Sequence, residues 1–356
     1  MTEDLRGKKI AVALSGGVDS AVVAALLQEQ GAQIIALTLK LEADDLSEDA
    51  QRVAAFLGLP LHVIDAVQPF YESVKRDFVE TYLRGETPLP CAQCNRFIKF
   101  GLLMREAQER GAQALATGHY ARRIPFSTGT QLHKAADESK DQSYFLFGLS
   151  PEQIDFLRFP LGDLTKEETR RLAERFNLPV AQKKESQDIC FVPSGDYVSV
   201  LEKLAPGAIE GGDIVDQSGA VLGRHQGIVH FTIGQRKGLN LSARTGDHNE
   251  PLFVLRLDAE KKQVIVGPRE SLAQREVRLR DMNWLMNEPL PTEGMPVMVR
   301  LRSAQQPQDA LLFPVEGSPQ KARLCLKDPS FGVAPGQAGV LYKESRLLGG
   351  GWIERS

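Results

Sequence analysis

At 356 residues, with 42% hydrophobic and 25% charged side chains, the chain has the length of two or three domains and a composition that excludes disorder and low-complexity architecture. A formal net charge of −3 excludes a globally basic nucleic-acid binder, so any RNA partner must be met by local patches. Arg122-Arg123, Lys183-Lys184, Arg224 with Arg236-Lys237, and Arg300 with Arg302 are the candidates, each by itself equally a solvated surface pair.

No run reaches the length of a membrane span or a signal-peptide core, which leads to the expectation of a cytoplasmic protein with no membrane partner. Four cysteines, Cys91, Cys94, Cys190 and Cys325, are too few and too scattered for a disulfide framework. They read instead as reactive or metal-binding thiols.

The run Lys9-Ile10-Ala11-Val12-Ala13-Leu14 reads as a buried strand, and Ala21 to Leu27 as a helix ending at Gly31. Between them lies Ser15-Gly16-Gly17-Val18-Asp19-Ser20. Strand, glycine loop and helix form the context of an anion site, because the first N–H groups of a helix lack internal partners and carry the positive end of its dipole. Ser15 and Ser20 add hydroxyl donors. Asp19 repels a phosphate unless a cation such as Mg2+ lies between them, so the expected ligand is magnesium-bound nucleotide. The loop lacks the Walker A lysine, and a simple tight turn is the plain alternative.

Gln33 to Leu39 reads as a second strand whose end, at Leu39, lies near the loop and within reach of an adenine. A helix from about Ser47 carries Ala50, Val53, Ala54 and Leu57 on one face before Gly58, and Leu61 to Ile64 supplies a third strand. A helix over about Tyr71 to Arg84 ends at Gly85, and Thr87-Pro88-Leu89-Pro90 reads as irregular. That places Cys91-Ala92-Gln93-Cys94 on a loop, with Asn95 as the cap of the next helix. Cys94 then faces a helix N-terminus, where a thiolate is favoured.

Ala114 to Tyr120 reads as a fourth strand opening into a loop, with Gly118 and His119 at the end where ligands bind in parallel α/β sheets. Lys140-Asp141-Gln142-Ser143 reads either as a solvated loop or as a phosphate contact, and Thr165-Lys166-Glu167-Glu168 as a capping box with a structural role. In Lys183 to Phe191 two lysines favour a thiolate at Cys190, the alternative being a buried inert cysteine. Beyond about residue 200, short apolar runs broken by glycine predict small β structure, and alternating segments from about Val277 predict a barrel with Cys325 in its core. The predicted architecture is α/β: an adenylation domain with a parallel sheet over 1–200, a central β-rich domain over 201–275 and a β-barrel over 276–356.

An adenylating loop, available thiols and polar segments fit sulfur transfer to an adenylated oxygen. The loop is similar to that of enzymes cleaving ATP between its α and β phosphates. Together with Thr117-Gly118-His119-Tyr120-Ala121, Lys140-Asp141-Gln142-Ser143-Tyr144, Phe159-Pro160-Leu161-Gly162, Ser186-Gln187-Asp188-Ile189-Cys190-Phe191, His225-Gln226-Gly227, Thr232 to Leu239 and Pro335-Gly336-Gln337, it makes the chain resemble the bacterial tRNA-specific 2-thiouridylase (MnmA) family over nearly its whole length.

The resemblance implies ATP- and Mg2+-dependent thiolation of carbon 2 of the wobble uridine in tRNA, with sulfur relayed from a cysteine desulfurase. It implies Cys94 as nucleophile and Cys190 as persulfide carrier. It assigns ATP binding to Ala13, Leu14, Ser15, Gly16, Gly17, Val18, Asp19, Ser20, Leu39 and Gly118. Leu89, Pro90, Cys91, His119, Lys140, Asp141, Gln142, Arg300, Leu301 and Gln337 would meet tRNA.

One departure stands out: many relatives carry Asp where this chain has Cys91, so the proton-transfer assignment does not carry over, a thiol having a reference pKa of about 8.5 against 3.9 for Asp. The substitution opens a second mechanism in which Cys91, Cys94 and Cys190 ligate a [4Fe–4S] cluster. Persulfide and disulfide chemistry is the expected route. Another pyrophosphate-loop ligase, with incidental cysteines, and an RNA-binding protein using ATP as a switch remain alternatives.

Overall fold

The computed structural model describes residues 4–45, 47–127, 129–184, 189–192, 195–239, 241 and 251–355. They fall into two compact units, one drawn from 1–74, 91–187 and 343–347, the other from 75–90, 188–342 and 348–356. Ser186, Gln187 and Asp188 of the cysteine motif lie outside the described residues.

The first unit is built on a five-stranded parallel sheet. Its strands are β1 (Lys9–Ala13), β2 (Gln33–Lys40), β3 (Leu61–Asp65), β4 (Ala114–Ala116) and β7 (Leu157–Arg158), in the order β3-β2-β1-β4-β7. β1 is a continuous apolar run, as a strand covered on both faces must be; Ile10, Ala11 and Val12 are wholly buried. Helix α1 (Val18–Glu29) buries residues all round, Ala21 through Ala25 and Leu27, whereas α2 (Glu48–Leu57) buries one stripe, Ala50, Val53 and Ala54. α2 ends at Gly58 in the left-handed conformation, φ +66°.

Several expectations are corrected here. β4 stops at Ala116, because Thr117 to Tyr120 leave the sheet as a loop. The edge strand β7, the hairpin of β5 (Ala121–Phe126) and β6 (Gly129–Lys134), and the helix Pro151–Phe156 with its Ser150/Gln153 capping box lie outside the elements read from the sequence. Cys91 is not on a loop. The chain is helical from Pro90–Gln93 through Cys94–Leu102, which has wider π-type turns, to Leu103–Glu109. Pro90 suits the first position of a helix, where its missing N–H costs nothing.

The second unit holds two β structures. β8 (Gly212–Val215), β9 (Val221–His225), β10 (Phe253–Asp258) and β11 (Gln263–Gly267) form a sheet in the order β10-β11-β8-β9. β12 (Ala273–Trp284), β13 (Met295–Arg300), β14 (Gln308–Val315), β15 (Ser318–Phe331), β16 (Ala338–Lys343) and β17 (Arg346–Ile353) run in the order β12-β15-β14-β13-β16-β17, and pairing of β12 with β17 closes the barrel. Its core takes Val277, Leu279, Val299, Leu301, Leu312, Leu324 and Leu341. Along β15 Ala322, Leu324 and Leu326 point inward, so the period of two places Cys325 on the other face, partly exposed, and not in the core. No helix among the described residues is long and apolar enough to cross a membrane.

Candidate active site

The strand order of the first unit reverses between β1 and β4, the position at which open α/β sheets bind ligands beyond their strand ends. The loop after β1 begins where the Leu14 N–H donates to the Leu37 carbonyl on β2, 2.7 Å. Gly16 has φ +72°, and a Cβ there would stand 2.6 Å from the Asp49 Cβ and 2.7 Å from the Ala50 nitrogen. Conformation and space both demand glycine. The Ser15 N–H donates to Ser20 Oγ, 3.1 Å, and Ser20 Oγ in turn reaches the Gly17 carbonyl, also 3.1 Å. Ser15 and Ser20 hydroxyls lie 3.1 Å apart. Gly118 seals the other side, since a Cβ on it would come within 3.0 Å of Asp19 Cβ and the Ser20 nitrogen.

Asp19 is already paired. Lys166 Nζ donates to both of its carboxylate oxygens at 2.7 and 2.8 Å, and the Tyr120 hydroxyl lies 3.0 Å from Oδ1. The same hydroxyl is 3.0 Å from Thr169 Oγ1. The cation beside the loop carboxylate is therefore an ammonium supplied by the chain. A second lysine braces the loop: Lys183 Nζ donates to the Gly16 carbonyl, 3.3 Å, and to Asp49 Oδ2, 2.5 Å. That bond and the lysine charge hold the Asp49 carboxyl below its usual range.

Cys94 is buried, 7% exposed, and is the fifth helical residue counting Pro90 as the first. The dipole acts mainly over the first turn, so the helix start favours a thiolate less than the sequence suggests. Asn95 caps nothing; its amide donates to the Phe145 carbonyl, 3.1 Å. Cys91 reaches solvent, yet packed protein raises its thiol pKa, with Lys99 opposing. Among the described residues no group of three or more His, Cys, Asp or Glu is placed to hold a metal ion. His119 shares a 2.9 Å hydrogen bond between Nδ1 and Thr117 Oγ1 and is flanked by the rings of Phe100 and Phe159. Burial, then the Lys99 charge, push its pKa well below the usual imidazole value, so it is neutral at pH 7.

In the second unit Cys190 is exposed, which overturns the alternative of a buried inert cysteine. It lies in a turn closed by the Val192 N–H to Ile189 carbonyl bond, 2.8 Å, and the adjoining Phe191 packs edge-on against Phe78 at 5.2 Å. An anchored aromatic thus presents a thiol outward.

The residues expected to meet tRNA divide. Leu89 and Pro90 are buried, and Gln337 Nε2 donates to the Thr87 and Pro88 carbonyls at 3.2 and 3.0 Å, fixing the approach to Pro90. Arg300 donates to the Gln305 and Ser303 carbonyls, and Leu301 is 1% exposed, its N–H donating to Gln305 Oε1 at 3.1 Å. Asp141 accepts from the backbone N–H groups of Ala135 and Ser143, and Gln142 Oε1 accepts from Tyr120 N–H, 2.9 Å. Lys140 N–H donates to the Asp137 carbonyl. Leu39 sits one residue before the end of β2, partly exposed.

Family models match in three consecutive blocks: a tRNA methyl transferase HUP domain over 8–194, its PRC-barrel domain over 200–268 and an aminomethyltransferase β-barrel domain over 274–353. The tRNA-specific 2-thiouridylase MnmA of Rhodospirillum centenum is 48% identical, covering 98% of this chain and 92% of that protein. The chain belongs to the tRNA-specific 2-thiouridylase family. The 2-thiouridylase of Parvibaculum lavamentivorans is also 48% identical, over 99% of this chain and 93% of its own. The U34-tRNA thiolase NcsA from Methanococcus maripaludis with its [4Fe-4S] cluster aligns at 22% identity over 58% of this chain and 70% of that one, with a TM-score of 0.37. So distant a likeness carries no argument about chemistry.

Within this family member, Lys166 is the residue that sequence reasoning passed over. Its capping box is present, Thr165 N–H donating to Glu168 Oε2 at 2.7 Å, but the box is not the whole of its role. A cation in the first turn of a helix opposes the dipole. That signal alone called for an anion, and the anion is Asp19.

Proposed function

We propose that the protein thiolates carbon 2 of the wobble uridine in tRNA at the expense of ATP. The observation that carries the proposal is the glycine loop at the sheet's reversal point, with Asp19 and Lys166 paired beside the N-terminus of α1. Backbone N–H groups there suit a pyrophosphate, and Ser15, Gly16, Gly17, Val18 and Ser20 would line it, with Ala13, Leu14, Leu39 and Gly118 shaping the nucleotide site. Mg2+ fits as a companion of the ATP phosphates, since one lysine-paired carboxylate is not a cage for it.

The uridine O2 displaces pyrophosphate from the α-phosphorus of ATP, giving an adenylated base. The terminal sulfur of a persulfide on Cys190 then attacks C2 and AMP leaves with the oxygen. Cys94 is assigned the thiolate that cleaves the remaining sulfur–sulfur bond, releasing the 2-thiouridine and leaving a protein disulfide that an external dithiol reduces. A cysteine desulfurase or relay protein of the cytoplasm supplies the sulfane sulfur. No step passes through an iron–sulfur cluster.

Mass spectrometry of nucleosides from tRNA incubated with the protein, Mg-ATP and a persulfide source tests the proposal, run with and without iron reconstitution. Thio-uridine without iron is expected. Cys94→Ser and Cys190→Ser should each lower product at least ~10³-fold while ATP–pyrophosphate exchange persists. Full thiolation in both variants would remove Cys94 and Cys190 from the chemistry, product only after iron reconstitution would replace the persulfide route, and no thio-uridine in either case would return the ligase and RNA-binding readings.

A further inference from the structure

Cys94 and Cys190 account for the sulfur transfer, and Cys91 is a nucleophile that no step of it uses. Cys91 stands three residues before Cys94 on one continuous helical path, Cys91 within Pro90–Gln93 and Cys94 at the head of Cys94–Leu102. Residues three apart share a helix face, so both thiols lie on one side of the helix. Their surroundings differ, Cys91 being exposed and Cys94 only 7% exposed. The next residue, Asn95, is 2% exposed and tied to the Phe145 carbonyl at 3.1 Å. Cys94 is thus anchored, and Cys91 is the thiol of the pair that a second protein can reach.

Helix neighbours of this kind have Cβ atoms about 5–6 Å apart, whereas a disulfide asks for about 3.5–4.5 Å. Two features make the remaining movement cheap. Cys91 lies in the first turn, whose N–H groups have no partners within the helix, and the turns widen from Cys94 onward. Cys91-Ala92-Gln93-Cys94 also has the spacing of dithiols that exchange.

We propose that Cys91 is the resolving thiol of the catalytic cycle; the proposal rests on the persulfide reading above. Sulfur transfer by that route leaves a Cys94–Cys190 disulfide. The Cys91 thiolate attacks Cys94 Sγ, the Cys91–Cys94 bond forms, the Cys94–Cys190 bond breaks, and Cys190 leaves as a thiolate that takes up the proton Cys91 lost. This exchange is redox-neutral. Two electrons then come from an external dithiol, whose first thiolate attacks the exposed Cys91 sulfur and expels Cys94. Its second thiol releases Cys91 and leaves the reductant as a disulfide. Cys190 can accept the next sulfane sulfur before that reduction, and it never carries a mixed disulfide with the reductant. Packing raises the Cys91 thiol pKa, with Lys99 opposing. A thiol of raised pKa is the poorer leaving group, so the exchange runs toward the bond that holds it.

The test loads the full chain with a single persulfide, without iron, adds Mg-ATP and excess tRNA but no reductant, and alkylates thiols after the turnover. Peptide mass spectrometry then maps the disulfide in wild type, Cys91→Ser and Cys91→Ala. Wild type should hold Cys91–Cys94 with Cys190 alkylated, and both variants should hold Cys94–Cys190. With a dithiol reductant and saturating tRNA, the ratio of steady-state to single-turnover rate should fall roughly 10-fold in both variants. An effect of the substitution on tRNA placement lowers both rates and leaves the ratio alone. Wild type that ends the turnover with Cys94–Cys190 as its disulfide would overturn the inference, as would an unchanged ratio in the variants. Thio-uridine formed with no protein disulfide would overturn the inference together with the persulfide reading, and a wild type that makes no thio-uridine would overturn the function itself.

Discussion

In the loop after β1 the side chains are small and the backbone carries the design, Gly16 packed against Asp49 with no room for a Cβ and Gly118 close against Asp19. In the barrel the design is carried by long polar side chains. Arg300 spans to the carbonyls of Ser303 and Gln305, Arg302 to Gly332, and Gln337 to Thr87 and Pro88. The contrast teaches that a string of small residues around a turn marks a place prepared for a ligand. An arginine or glutamine in a β domain is as often spent on the fold itself.

Substitutions in the two regions sharpen the contrast, and the largest effect belongs to the loop. Gly16→Ala forces a φ of +72° on a residue with a Cβ and drives that Cβ into Asp49 and Ala50. A stability loss of ~1–3 kcal/mol is expected from the backbone alone. Pyrophosphate exchange should fall at least ~100-fold, because the N–H groups of the loop lose their aim. Activity within about threefold of wild type would mean the loop is only a turn.

Lys166→Met comes next. It removes the ammonium that holds Asp19 at 2.7 and 2.8 Å and leaves a carboxylate facing the phosphate site. Adenylation should drop roughly 10- to 100-fold, chiefly as weaker ATP binding, with tRNA affinity unchanged. Asp19→Asn in the same background should recover part of the loss, since the repelling charge is gone. Additive losses in the double variant would break the assignment of the pair.

Gln337→Leu probes the barrel side and should be milder. Two carbonyls, of Thr87 and Pro88, lose their donor, for about 1–2 kcal/mol of stability. ATP–pyrophosphate exchange should be unaffected. A loss of exchange as large as in Lys166→Met would erase the distinction between bracing residues and ligand residues.

What was legible in the sequence follows the same division. β1, the glycine loop and α1 were readable because apolar run, paired glycines and apolar run follow one another with local spacing. The alternation along β15 was readable too, though the face on which Cys325 falls was not, since period two fixes alternation but not which side is inward. The helix beginning at Pro90 was misread as a loop because Pro90 ends nothing when it occupies a first turn. Lys166 with Asp19, 147 positions apart, and Gln337 with Thr87 and Pro88 are pairings set by tertiary packing: a first-turn lysine signals that an anion is needed, but one sequence holds no local signal for which partner is met.

The smallest effect is a pH dependence, and it too tests how tightly the loop region is built. His119 has its folded pKa pushed well below the usual 6.5 by burial and by Lys99. Above pH 6.5 both folded and unfolded chains carry a neutral ring, so the histidine adds no pH dependence. As pH falls below 6.5 the unfolded chain takes up a proton that the folded chain refuses, and stability is lost progressively toward the folded pKa. The slope attributable to this one residue is at most one proton, about 1.4 kcal/mol per pH unit. His133 and His225 have lowered values as well, from burial first in each case, and add to the same slope. His119→Asn keeps a polar group beside Thr117 and cannot titrate, so its unfolding free energy between pH 6.5 and 5 should fall less steeply than that of wild type. Parallel curves would mean that His119 is protonated in the folded chain, and with it the picture of a neutral imidazole beside the loop would fail.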